Sequence, residues 1–118
     1  MRMWGVPVEV LCNKHLCGEH HEMHMFAGSL RIGTRLDGFI RNNCLSLRHI
    51  KSRHDLLAAE MLERGLTHNS PLKEIEESLY KNILPHLRDR ILDEDESREL
   101  LLSRCEECAE RYKHLCEP

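Results

Sequence analysis

Apolar positions along this chain recur at three- and four-residue steps and nowhere alternate. Between Pro7 and about Phe26 the residues Val8, Leu11, Cys12, Leu16 and Met23 fall on one helical face, with a single glycine among them. That period predicts a first helix opening at Pro7, where the missing amide proton costs nothing. Residues 27–45 (AGSLRIGTRLDGFIRNNCL) hold three glycines and a broken pattern, which reads as an irregular basic loop with one short turn at 35–41. From Ser46 to Arg64 a stripe of Leu47, Ile50, His54, Leu57, Ala58, Met61 and Leu62 predicts a second long helix, and Gly65 stands where a helix ends. Pro71 can start another helix through Ile75, Leu79 and Ile83, disturbed at Pro85. A last helix is expected from an Asp95 or Ser97 cap to about Leu115, with Leu100, Leu101, Cys105, Cys108, Tyr112 and Leu115 on its apolar face. No run of β-branched residues alternates as a strand would. The fold expected is all-α: a compact helical bundle forming a single domain over residues 1–118, with a basic loop between its first two long helices.

The composition suits that reading. With 41% hydrophobic and 31% charged residues the 118-residue chain can bury a core. No stretch approaches the roughly 20 apolar residues of a membrane span, and no signal-peptide pattern opens the chain. The expectation is an intracellular protein, cytoplasmic or nucleoid-associated, with no membrane partner. In that setting the six cysteines read as reduced core residues or metal ligands, without structural disulfides. The net charge of −3 hides an asymmetry: residues 1–54 carry eight Lys/Arg and four acids, residues 55–118 nine and sixteen. A polyanion would dock on the first half, where six of the nine histidines also lie.

The densest polar cluster is HLCGEHHEMH, residues 15–24. On a helix His15, Glu19 and Glu22 share one face at i, i+4 and i+7, with His21 and His24 on its flank. Such a face can simply be solvated. A metal reading also exists through His20 and His24, yet HHEMH is not the HExxH of zinc proteases. Cys105-x-x-Cys108, followed by His114 and Cys116, has zinc-like spacing but no second CxxC, so packing in the core is the preferred reading.

The stretch MRMW…LCNKHLCGEHHEMHMF resembles the start of the phage-type pyrimidine-dimer DNA glycosylase/AP lyase family, in which a basic second residue is followed by His-Leu-x-x-Glu-x-x-Glu in the first helix. A weaker likeness runs through GTRLDGF and IKSRHDLLAAEMLERGLTHNSPL, covering about residues 1–72; residues 73–118 form a divergent acidic part. The resemblance implies that the terminal α-amine attacks C1′ of a damaged nucleotide to form a Schiff base, and that Glu22 promotes base loss and β-elimination. An α-amine titrating at about 7.7–8.0 is a sensible nucleophile, and no metal or other cofactor is needed. A bulky Arg2 is expected to leave Met1 unprocessed, so Met1 supplies the amine.

By the same resemblance Arg2 holds a phosphate, His15 positions the backbone or Glu22, and Glu19 supports the helix face. His15 could equally be a core histidine. Lys14, His24, Arg31 and Arg35 join the expected DNA contacts. His21 stands where the phage enzyme has a substrate-contacting arginine, and the aromatic tail of that enzyme has no counterpart here. Arg41, Arg48, Lys51 and Arg53 are further phosphate candidates, or a solvated basic surface. The expected partner is damaged double-stranded DNA, bound by a monomer. Two readings stand beside this one: a noncatalytic nucleic-acid-binding helical module, and a small metal-binding protein using the His15–His24 cluster or Cys105/Cys108.

Overall fold

Two helices form the centre of the computed structural model, which describes residues 1–117: α1 (Asn13–Arg31) lies along α3 (Ile50–Glu63). Their facing stripes follow from the 3.6-residue period. Leu16, Met23, Phe26, Ala27 and Leu30 of α1 meet Ile50, Leu57, Ala58 and Met61 of α3, all buried. Each large apolar side chain so buried contributes about 1.5–3 kcal/mol. Between them sits a polar layer, Glu19 and His20 from α1 against Arg53 and His54 from α3. The short α2 (Asp37–Arg41) occupies the predicted turn, and the pair α4 (Glu94–Arg104) and α5 (Glu106–Cys116) closes the other side. One apolar cluster runs from Met3 to Cys108, and the described residues contain no strand, so the chain is all-α.

The second long helix is where the pattern put it, and Gly65 ends it with φ +77°. Five expectations are corrected. Pro7 opens only a 3-10 turn, Val8–Val10; the backbone then extends through Leu11 and Cys12 before α1 begins at Asn13. Arginines bind the carbonyls of Val6, Val8 and Glu9, and the Cys12 thiol caps α1 by accepting the His15 amide. At its far end α1 runs past Phe26 to Arg31 and stops at Gly33, whose φ of +82° few other residues adopt.

The helix expected from Pro71 is absent. Chain from there to Glu76 carries no helix, and 3-10 turns follow at Glu77–Asn82 and Pro85–Leu87. Leu72, Tyr80, Ile83 and Leu87 are the buried anchors; their spacing would also suit one helical face, so the apolar period alone could not show that the helix is absent. The expected single C-terminal helix is two, broken at Cys105, where the backbone is extended. The cap of α4 is Asp93, not Asp95 or Ser97; Ser97 is buried and donates its hydroxyl to the Trp4 carbonyl.

Candidate active site

Residues 1–11 carry too few local contacts to hold a shape, so their position is imposed by side chains far along the chain. The Met3 amide donates to the Cys44 carbonyl at 2.7 Å. Arg53 Nη1 donates to Val6 O at 2.7 Å, Arg64 Nη2 to Val8 O at 3.1 Å and Arg111 Nε to Glu9 O at 2.8 Å. Met3, Trp4, Val6, Val8, Val10 and Leu11 bury their side chains. Gly5 has φ +69°, where other residues are strained, and a Cβ there would lie 2.9 Å from Leu92 Cδ2, so glycine suits that bend. The segment is thereby aimed at the first turns of α1.

There it borders an open cleft of about 490 Å³ lined by Met1, Arg2, Trp4, Lys14, His15, Gly18, Glu19, Glu22, Cys44 and Arg104. Six of the residues expected from sequence thus share one site: Met1, Arg2, Lys14, His15, Glu19 and Glu22. The guanidinium of Arg2 stacks 4.3 Å from the Trp4 ring and donates to Asn43 O, while its buried Nε has no partner among the described residues. Asn43 is held in the left-handed region, φ 58°, by two bonds to the Asp93 backbone. Arg104 is a basic residue that sequence reasoning did not include. It comes from the acidic half, and only the folding of α4 onto the N-terminal segment brings it here.

Glu19 borders the cleft, but its carboxylate is fully buried and both oxygens are taken by Arg53, at 2.6 and 3.0 Å. That pair removes Glu19 from substrate contact and Arg53 from the phosphate-binding candidates. The other expected contacts lie elsewhere. His21 and Arg31 are exposed outside the cleft lining. Arg35 grips Asp37 through two bonds, and this pairing, with the Leu84 amide, holds the Asp37 carboxyl down at about 2. Arg48 is paired with Glu77 and Asp89, and Lys51 with Asp55. Half of the eight cations in residues 1–54 are therefore neutralised locally, and the basic surface is smaller than the charge count implies.

His24 belongs to a second assembly. His20, His24, His54 and His68 pack ring against ring, with His20 Nε2 3.1 Å from His54 Nε2 and His24 Nε2 3.0 Å from Ser70 O. Burial first, then repulsion from His54, His24, His68 and His21, pushes His20 down to about 4; His24 is lowered by burial and His54. Burial thus favours the neutral form of His20 and His24. Nitrogens of His20, His54 and His68 lie close enough to share a cation, as do Cys12, His15, Cys105 and Cys108. All six cysteines are unbridged thiols. Burial pushes Cys108 up to about 12. Burial acts to raise Cys105 too, but bonds from the Cys108 amide and the neighbouring thiols hold it below its ordinary value.

Among curated proteins no relative matches the chain, and no solved structure matches it. A family model described as pyrimidine dimer DNA glycosylase matches residues 1–74. That span covers α1, α2, α3 and every cleft residue except Arg104. With more than half of the 118 residues matched, the chain belongs to the pyrimidine dimer DNA glycosylase family and so to the proteins of DNA repair.

Proposed function

We propose that the chain is a glycosylase and abasic-site lyase acting on damaged duplex DNA, with the α-amine of Met1 as nucleophile and Glu22 as the carboxylate that moves protons. The observation that carries the reading is the cleft that Met1 and Glu22 both line, together with Arg2, Lys14 and Arg104. Glu19 is neutralised by Arg53, which leaves Glu22 as the one carboxylate of that lining without an ion-pair partner among the described residues. An amine and a carboxylate at one anionic-substrate site are the minimum equipment for imine chemistry.

The steps balance with these groups alone. The amine nitrogen donates its lone pair to C1′; the glycosidic C–N bond breaks, its electrons leave with the base, and the base takes up a proton. The amine then gives up a proton, the C1′–O4′ bond breaks with its electrons going to O4′, which takes up a proton, and the nitrogen lone pair closes a protonated imine. Glu22 accepts a proton from C2′, and the electrons of that bond expel the 3′ phosphate as β-elimination. Water then hydrolyses the imine and releases the amine. Arg2, Lys14 and Arg104 bind phosphates, and the Trp4 ring under Arg2 keeps its guanidinium oriented. His15 is a positioning residue on the cleft wall. The working unit is taken as one chain folded about one core, located in the cytoplasm or on the nucleoid.

Borohydride trapping on a duplex with a single abasic site tests the reading, using protein whose N-terminal mass has been verified. Wild type is expected to give a covalent adduct and cleave; a form extended by two residues ahead of Met1 gives no adduct; Glu22→Gln binds but cleaves at least about a hundredfold more slowly. Binding without any adduct from wild type would replace the enzyme with a noncatalytic DNA-binding module. A duplex carrying a pyrimidine dimer then tests the glycosylase step separately.

A further inference from the structure

We infer that Cys12, His15, Cys105 and Cys108 form a zinc centre that joins the N-terminal segment to the C-terminal helix pair. The donor atoms are Cys12 Sγ, His15 Nδ1, Cys105 Sγ and Cys108 Sγ, all within 4.8 Å of one another. Cys12 Sγ lies 3.1 Å from His15 Nδ1 and 3.9 Å from Cys105 Sγ, and Cys108 Sγ lies 3.6 Å from His15 Nδ1. A tetrahedral zinc with Zn–S of about 2.3 Å and Zn–N of about 2.05 Å puts sulfurs about 3.8 Å apart and sulfur about 3.6 Å from nitrogen. The Cys12–Cys105 and Cys108–His15 separations match that geometry, and the Cys12–His15 pair is closer.

The backbone supports the same chemistry. Cys12 and Cys105 each cap a helix, α1 and α5, and the second ligand of each pair sits three residues on, in the first helical turn. The two pairs are therefore Cys-x-x-His and Cys-x-x-Cys, brought together from positions 93 residues apart. Three amides point at sulfur: His15 N at Cys12 Sγ (3.4 Å), Cys108 N at Cys105 Sγ (3.4 Å) and Cys12 N at Cys108 Sγ (3.3 Å). Each of the three sulfurs thus accepts one backbone amide, the kind of outer hydrogen bond that orients a metal-bound sulfur. Cys12 and Cys108 are buried and His15 and Cys105 half-buried, a setting for a closed four-ligand structural site and not for an open catalytic one.

The centre has a consequence for the cleft. Coordination through Nδ1 fixes the proton of His15 on Nε2, making that nitrogen a permanent donor on the wall that His15 shares with Met1 and Glu22. It also anchors Arg104, the neighbour of Cys105, in the same cleft lining. Cys105 and Cys108 both lie outside the family match, so this staple is a feature the chain adds to the matched core.

The inference stands or falls on metal binding, independently of any DNA chemistry. Protein purified with reductant and without a histidine tag is expected to carry about one zinc per chain by elemental mass spectrometry. Cobalt(II) exchanged into wild type should show thiolate-to-metal charge transfer and the intense visible bands of a tetrahedral site. Cys105→Ser should weaken the charge transfer and lower zinc affinity at least about tenfold, His15→Cys should retain the metal, and Cys116→Ser should match wild type. Removing zinc from wild type should lower Tm by about 10 °C or more. Wild type with less than about one zinc in ten chains after refolding with equimolar zinc, and a pale octahedral cobalt spectrum, overturns the inference. So does an undiminished tetrahedral spectrum in Cys105→Ser, which would move the metal to His20, His54 and His68.

Discussion

Replacing Arg53 by methionine removes the residue on which both the helix interface and the N-terminal segment depend. Its guanidinium gives Glu19 two bonds and the Val6 carbonyl a third, and the side chains of Arg53 and Glu19 are 8% and 0% exposed. Truncation leaves a carboxylate without a partner inside the α1–α3 interface, which costs about 3–5 kcal/mol. The orphaned Val6 carbonyl adds about 1 kcal/mol. Methionine refills most of the volume, so no large cavity term enters. Unfolding entropy near 2.1 cal/mol/K per residue converts a loss of about 4 kcal/mol into a Tm shift of about 16 °C for a chain of this length. Urea denaturation followed by far-ultraviolet circular dichroism measures it, compared with Glu19→Leu and with the double variant. The double variant should recover at least half of the loss, because an apolar pair leaves no buried charge. A loss under about 1 kcal/mol for Arg53→Met, or a double variant as unstable as the two singles summed, would refute the account.

Three further outcomes are expected. Gly5→Ala should lower stability by about 1–3 kcal/mol in thermal melts, because the alanine Cβ meets Leu92 Cδ2 and the backbone stays at positive φ; a neutral result would mean that the bend relaxes. His20, folded near 4 against 6.5 unfolded, binds its proton more readily when unfolded. Its contribution is present above pH 6.5 and falls as pH drops toward 4, by about 2 kcal/mol after allowance for screening, and His20→Gln should flatten that part of the stability–pH curve. Arg104→Ala should weaken binding to duplexes of any sequence and reduce the slope of log K against log salt by about one; an unchanged slope would remove Arg104 from the phosphate contacts.

Much of the centre of this protein was legible along the chain. A 3.6-residue apolar period is a local property, so α3 could be read residue by residue, and the shared face of His15, Glu19 and Glu22 follows from helical spacing alone. The Cys105-x-x-Cys108 spacing was visible too, but its partners were not, because the second pair is Cys-x-x-His and lies 93 residues away. Cofactor-free chemistry was the expectation; the quartet adds a structural metal to it by inference.

What only the tertiary structure decided concerns charge and backbone direction. Glu19, Arg53, Arg35 and Arg48 look like surface charges in sequence, since a side chain's sign says nothing about whether an opposite charge is folded against it. Periodicity likewise continued a helix back to Pro7 and through Cys105, where distant groups instead take up the backbone and sulfur positions. Apolar period is written in neighbouring residues; pairing, capping by thiols and the cleft between Met1, Glu22 and Arg104 are written in residues that meet only once the chain has closed upon itself.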